Sequence, residues 1–143
     1  MLKRLARLRG PVGRRGSRPA QAGDPVQAFL QVARQSFLQV QAAWDRADLP
    51  ALGVMTTGPL LDDLRQQLVL RGPAPNRTEV IELQARLLAL EDLSDASMAS
   101  VEFSGWIRER SDEAAAPFRE LWLLADVKAA GCGWKLARVQ SLS

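Results

Sequence analysis

The chain has 143 residues, 47% of them apolar and 24% charged, which is the balance of an ordinary globular domain built on one core. It contains no histidine, no tyrosine and one cysteine, Cys132; histidine–zinc sites, histidine-assisted serine or cysteine nucleophiles, a tyrosine proton donor and an intrachain disulfide are therefore excluded. The net charge of +3 divides unevenly, because residues 1–22 carry seven cations and no acid, leaving −4 on the remainder.

Those cations are Lys3, Arg4, Arg7, Arg9, Arg14, Arg15 and Arg18, set among glycine and proline in a stretch with no sustained periodicity. Residues 1–24 read as a basic arm and residues 25–143 as one α+β domain. Three readings fit the arm: an unstructured linker, a segment of transit-peptide composition, and an electrostatic anchor. As an anchor to anionic lipid, each basic residue near the surface contributes about 1 kcal/mol. No apolar run approaches the roughly 20 residues of a spanning helix. A basic nucleic-acid module carries its excess charge on the folded body; here the body is acidic, so nucleic acid is not an expected partner. No glycine-rich phosphate loop, calcium loop or other metal or cofactor motif is present.

From Asp24 the apolar period is helical. Asp24 can cap and Pro25 suits the first turn. Val26, Phe29, Leu30, Ala33, Phe37, Val40 and Trp44 then share one stripe of core-facing width. Asp48-Leu-Pro restarts a short helix through about Met55. A third helix starts at Thr56-Thr57-Gly58-Pro59, carries Leu60, Leu61, Leu64 and Leu68 on one side, and stops at Gly72-Pro73.

Beyond Arg77 the period changes to two. Strands are predicted at about Thr78–Leu93, Met98–Glu109, Pro117–Lys128 and Gly133–Leu142, the first long enough to need a bulge. Helices followed by strands predict N-terminal helices packed on a curved antiparallel four-stranded sheet. In the second strand Val101, Phe103 and Ile107 fall on one side, and Trp106 falls with Glu102, Ser104, Arg108 and Arg110 on the other. The third strand, Phe118-Arg-Glu-Leu-Trp-Leu-Leu-Ala125, is apolar in both phases from Leu121 onward, whereas a sheet with one wet face alternates. Part of the second face is therefore expected to be covered. Trp106, Arg108, Arg110, Leu121 and Leu123 form a candidate partner patch, with a homodimer through the sheet face as one outcome.

The ordered set Gln41-Ala-Ala-Trp-Asp45, Leu70-Arg-Gly72, Ala99-Ser-Val-Glu-Phe-Ser-Gly105, Pro117-Phe118, Glu120-Leu-Trp122 and Gly133-Trp-Lys-Leu-Ala137 resembles the Tim forty-four-like domain, in its bacterial form. That resemblance spans about residues 25–143. It implies a cone-shaped fold of the nuclear-transport-factor-two-like kind, a large apolar pocket, and attachment to acidic lipid or to a membrane protein complex on the cytoplasmic side, with a soluble cytoplasmic protein as the alternative. The chaperone-recruiting region of the mitochondrial relatives has no counterpart here, so import-motor activity is not implied.

A cone of this kind offers two sites. Its interior, with Phe37, Trp44, Leu64, Phe103 and Trp134 as candidate lining residues, could take an acyl chain or be filled by those same side chains. An isomerase in the same cone needs a carboxylate base and a proton-donating oxyanion partner. Glu120 shares a strand phase with Phe118 and Trp122 and is the carboxylate in that position, with an ion pair to Arg108 or Arg138 as its plain structural role. The expectation is a non-enzymatic, membrane-peripheral binding or scaffold module, with interior ligand binding or an isomerase- or hydrolase-like activity as alternatives.

Overall fold

The structure, a computed structural model, describes residues 24–72, 77–109 and 113–142. Three helices precede four strands: α1 (Asp24–Arg46), α2 (Leu49–Met55), α3 (Gly58–Arg71), β1 (Glu79–Asp92), β2 (Ala96–Arg108), β3 (Ala116–Val127) and β4 (Lys135–Ser141). The strands form one antiparallel sheet in the order β1-β2-β3-β4. Each strand follows its neighbour in the chain, so short turns suffice and no crossover is needed. This is the α+β architecture that the change of hydrophobic period predicts.

The apolar stripe of α1 faces the sheet. Leu30, Ala33, Phe37, Val40, Ala43 and Trp44 are all buried, and Val26 and Phe29 pack at the edge of the same core. The helix stops without a glycine. Ala47 adopts a left-handed φ of 56°, and the amides of Ala47 and Asp48 return to the carbonyls of Trp44 and Ala43 at 3.0 and 2.9 Å. Asp48 then caps α2, its carboxylate accepting from the Ala51 amide at 3.1 Å. The capping anticipated for Asp24 concerns a side chain outside those described.

Residues between α2 and α3 are stitched to the far edge of the sheet. Thr56 makes an isolated parallel bridge to Leu136, the Thr57 amide donates to the Leu136 carbonyl at 2.9 Å, and the buried Thr56 hydroxyl donates to the Leu52 carbonyl at 2.8 Å. Thr57 occupies the N-cap position of α3 without a capping side-chain bond, and Pro59 fills the first turn as expected. Leu60 and Leu64 are buried, Leu61 and Leu68 partly so.

Curvature of the sheet comes from irregular pairing. β1 slips against β2 between Val80 and Glu82 and again between Leu87 and Ala89, and β3 slips against β4 at Leu123/Leu124. Gly105 sits opposite Leu83 beside the first slip, with φ 149°, and a Cβ there would collide with the Glu82 carbonyl. Only glycine lets β1 come that close.

Candidate functional site

The inner face of the sheet is built by alternation. Ala99, Val101, Phe103 and Ile107 of β2 and Phe118, Glu120, Trp122 and Leu124 of β3 all point into the core. Around Phe37 of α1 the rings close up: its centroid lies 4.8 Å from Phe103, 5.0 Å from Trp122 and 5.6 Å from Phe118, and Phe103 meets Trp122 edge-on at 5.1 Å. Of the anticipated lining residues, Phe37, Trp44, Leu64 and Phe103 are 0–1% exposed. Trp134 stands apart, half-buried at the mouth of the sheet, with its ring edge-on to Phe29 at 5.3 Å.

Besides Thr56, the buried polar side chains among the described residues are Glu120 and Gln41. Glu120 is fully buried, and the Trp122 indole N–H donates to its Oε1 at 3.0 Å. Gln41 on α1 is 3% exposed, and neither its amide nitrogen nor its amide oxygen has a hydrogen-bond partner among the described residues. Burial of Glu120 follows from its strand phase. Burial of Gln41 carries no sequence signal, because glutamine at the margin of a helical stripe ordinarily reaches water. Arg108, one of the partners considered for Glu120, lies on the outer face and pairs with Glu79 at 2.6 Å.

A second polar cluster fastens the helices to the first strand. Asp45 accepts from the Thr78 amide at 2.7 Å and from its hydroxyl at 2.9 Å. The Arg71 guanidinium donates to the carbonyls of Trp44 and Asp45 at 2.6 and 3.3 Å and lies 5.4 Å over the Trp44 ring. Burial pulls Arg71 below its ordinary pKa, and the Asp45 charge opposes that shift. These side chains complete the open carbonyl end of α1, which is a structural task.

The outer face presents a different surface. Trp106 is 44% exposed between Glu82 of β1 and Pro117 of β3, and Ile81, the extra residue of the β1 bulge, is 47% exposed alongside that position. Farther along, Glu102 takes Arg86 at 2.8 Å and Arg119 at 2.9 Å, which ties three strands together. Arg86 above all, with Arg119 adding to it, holds the Glu102 carboxyl below the usual carboxylate range against the opposing effect of its partial burial. Beyond this ion triad come Leu121 and Leu123, both half-buried. Of the anticipated patch, Trp106 and Arg108 lie at one end of the outer face and Leu121 and Leu123 farther along it, with the triad between them; Arg110 lies outside the described residues. The seven cations of the arm lie outside them too. Among the described residues no cluster of acidic or cysteine side chains has the arrangement of a metal site, and no helix is long and apolar enough to cross a membrane.

No family model matches the sequence, and no curated protein does. Solved structures do match. A ketosteroid isomerase-like protein from Erwinia carotovora atroseptica SCRI1043 aligns at 16% identity and TM-score 0.45, over 80% of this chain and 96% of that one. A nuclear transport factor 2-like superfamily protein from Salmonella enterica serovar Typhimurium LT2 aligns at 9% identity and TM-score 0.47, over 82% and 92%. The intermembrane space region of the chloroplast protein ARC6 aligns at 12% identity and TM-score 0.53, over 86% and 99%. At these identities the likeness is one of fold. They correct the resemblance drawn from sequence: neither a family model nor a solved neighbour supports membership of the Tim forty-four-like family. The residues that carried it explain the error. Trp44, Phe118 and Trp122 are core, Asp45 and Arg71 fasten helix to strand, Gly72 ends α3, and Gly105 admits β1. In this chain they serve packing, helix ends and strand approach, which bears on fold and not on lineage.

Proposed function

We propose that this protein is a non-catalytic binding module that attaches to an anionic membrane surface through its basic arm and the Trp106 end of its outer sheet face. The observation that carries this reading is the contrast in exposure between the two faces of the sheet. Inside, Glu120 and the Phe37–Phe103–Trp122 cluster are closed to solvent, so a substrate reaches the carboxylate only if that packing opens. Outside, Trp106 presents a large amphipathic ring beside Ile81 and Pro117, bordered by Glu82 and by the Arg108–Glu79 and Arg119–Glu102 ion pairs. A half-exposed tryptophan suits the boundary between headgroups and acyl chains, where one end of the ring is apolar and the other wet.

The charge division supports the same partner. Seven cations on residues 1–22 stand against a body of charge −4, so an anionic surface attracts the arm and not the body. The arm joins the body at the start of α1, near Trp134, whereas Trp106 lies toward the opposite end of the sheet. Twenty-two residues can span up to about 75 Å, so both attachments reach one plane.

Co-sedimentation with vesicles containing phosphatidylserine tests this. Binding is expected at low salt, reduced at high salt, and largely lost when the seven arm cations are changed to glutamine in the full-length chain. Equal binding by the two chains removes the arm from the account.

A second reading rests on Gln41, whose buried amide without partners is suited to the polar head of a small apolar ligand inside the cone. Native mass spectrometry of gently purified protein decides it: a bound mass lost in Gln41→Leu supports an interior ligand, and a bare chain removes it.

A further inference from the structure

One corner of the inner sheet face is left open by the way α1 crosses it. The helix starts over the β4 side, where Phe29 meets Trp134 at 5.3 Å, and ends at the start of β1, where Asp45 holds Thr78. It therefore runs obliquely, and the corner at the hairpin joining β1 to β2 lies off its path. One row of register partners shows the result. Leu90, Ala99, Leu124 and Leu136 lie side by side on β1 to β4; the last three are 1–4% exposed and Leu90 is 46% exposed. Leu93, at the hairpin turn, is 47% exposed. A leucine on the packed face of a sheet ordinarily has a partner above it.

The hairpin around these leucines is acidic. Residues 90–97 read Leu-Glu-Asp-Leu-Ser-Asp-Ala-Ser, with Glu91, Asp92 and Asp95 and no base. Lys128, just past β3, reaches Asp92 at 2.9 Å and the Leu93 carbonyl at 2.6 Å, and so offsets one of the three charges.

Chain length and charge name the occupant. Residues 1–23 precede α1 and leave the body at this same end of the sheet. Three strand spacings, about 15 Å, separate β4 from β1, and about five extended residues cover that distance. The arm carries what the corner lacks: Leu2, Leu5 and Leu8 at intervals of three, interleaved with Lys3, Arg4, Arg7 and Arg9, and no acid. As part of the same chain it is presented at about millimolar effective concentration, an advantage that a free partner does not have.

We propose that the basic arm docks on its own body, its leucines over Leu90 and Leu93 and its cations against the acidic hairpin. The same cations cannot serve the corner and an anionic membrane at once, so the corner restrains the arm and lipid releases it. The docking stands by itself; the competition rests on the membrane reading.

A nitroxide on Leu5→Cys, in the full-length chain with Cys132→Ser, tests the docking by paramagnetic broadening of amide signals. At low salt the broadening is expected at Leu90–Ser97 and not at Gln66–Leu70 on α3, and it should fade at high salt. Leu90→Ser with Leu93→Ser leaves the charge unchanged and alters only exposed side chains. That double variant should lose the selective broadening, keep its circular dichroism spectrum, and bind phosphatidylserine vesicles at least about threefold more tightly than wild type. Broadening spread evenly over the body, or unchanged in the double variant, overturns the docking. Selective broadening with equal vesicle affinity supports the docking and overturns the competition. Absence of vesicle binding by either chain would overturn the membrane reading and the competition with it, while the broadening still decides the docking.

Discussion

Trp122 and Glu120, two residues apart on the inner face of β3, are joined by an indole N–H donated to the carboxyl at 3.0 Å with both side chains fully buried. A buried acceptor that loses its donor costs about 1–3 kcal/mol, while a neutral isostere of the acceptor keeps the bond. Trp122→Phe should therefore lower the unfolding free energy by at least that amount, and Glu120→Gln by less. In a double-mutant cycle the two changes should couple; strict additivity would show that the pair contributes no joint stability.

Gly105→Ala is expected to be among the most damaging single changes. Its new methyl group meets the Glu82 carbonyl, backbone that cannot rotate away as a side chain can. Separation of β1 from β2 at the bulge should cost about 3 kcal/mol or more, read as a fall in the denaturation midpoint. Gly58→Ala, where a Cβ meets nothing within 4 Å, is the control and should be nearly silent.

Asp45 and Thr78 are 33 positions apart, and their two bonds tie the end of α1 to the start of β1. Thr78→Val removes the hydroxyl bond at nearly constant volume and should cost about 1.5–3 kcal/mol, the range for a bond to a charged acceptor. Thr78→Ser should recover most of it. Chemical denaturation of the three chains measures the series.

Glu102 gives the pH dependence. Arg86 and Arg119 hold its folded pKa below that of the unfolded chain, so its contribution is complete above the ordinary glutamate value of about 4.3 and is lost as pH falls through the folded value. Wild type should exceed Glu102→Gln in stability at neutral pH. The difference should vanish in acid, and a gap independent of pH would assign the effect to packing.

Much of this architecture was legible in one sequence. The four predicted strands lie within two residues of those observed, because alternation is a local signal. The inward phase of Glu120 was legible as well, although its complete burial was not, since a carboxylate in the right phase ordinarily bends toward water. Three features depend on register or on distant chain segments and leave no local trace. They are the bond from Asp45 to Thr78, the buried amide of Gln41, and the Arg86–Glu102–Arg119 triad that divides Trp106 from Leu121 and Leu123. The mistaken lineage has a related cause: the residues that suggested it serve packing and turns in this chain, which bear on fold and not on descent.

Quenching of tryptophan fluorescence by brominated lipid tests the membrane reading most directly, because it reports where one side chain sits. Wild-type protein on phosphatidylserine vesicles should be quenched when the acyl chains carry bromine. With Trp134→Phe in both proteins, Trp106→Phe should bind with that quenching largely gone, since the remaining Trp44 and Trp122 are buried in the core. Equal quenching of the two proteins, or none in either, would contradict a docked outer face.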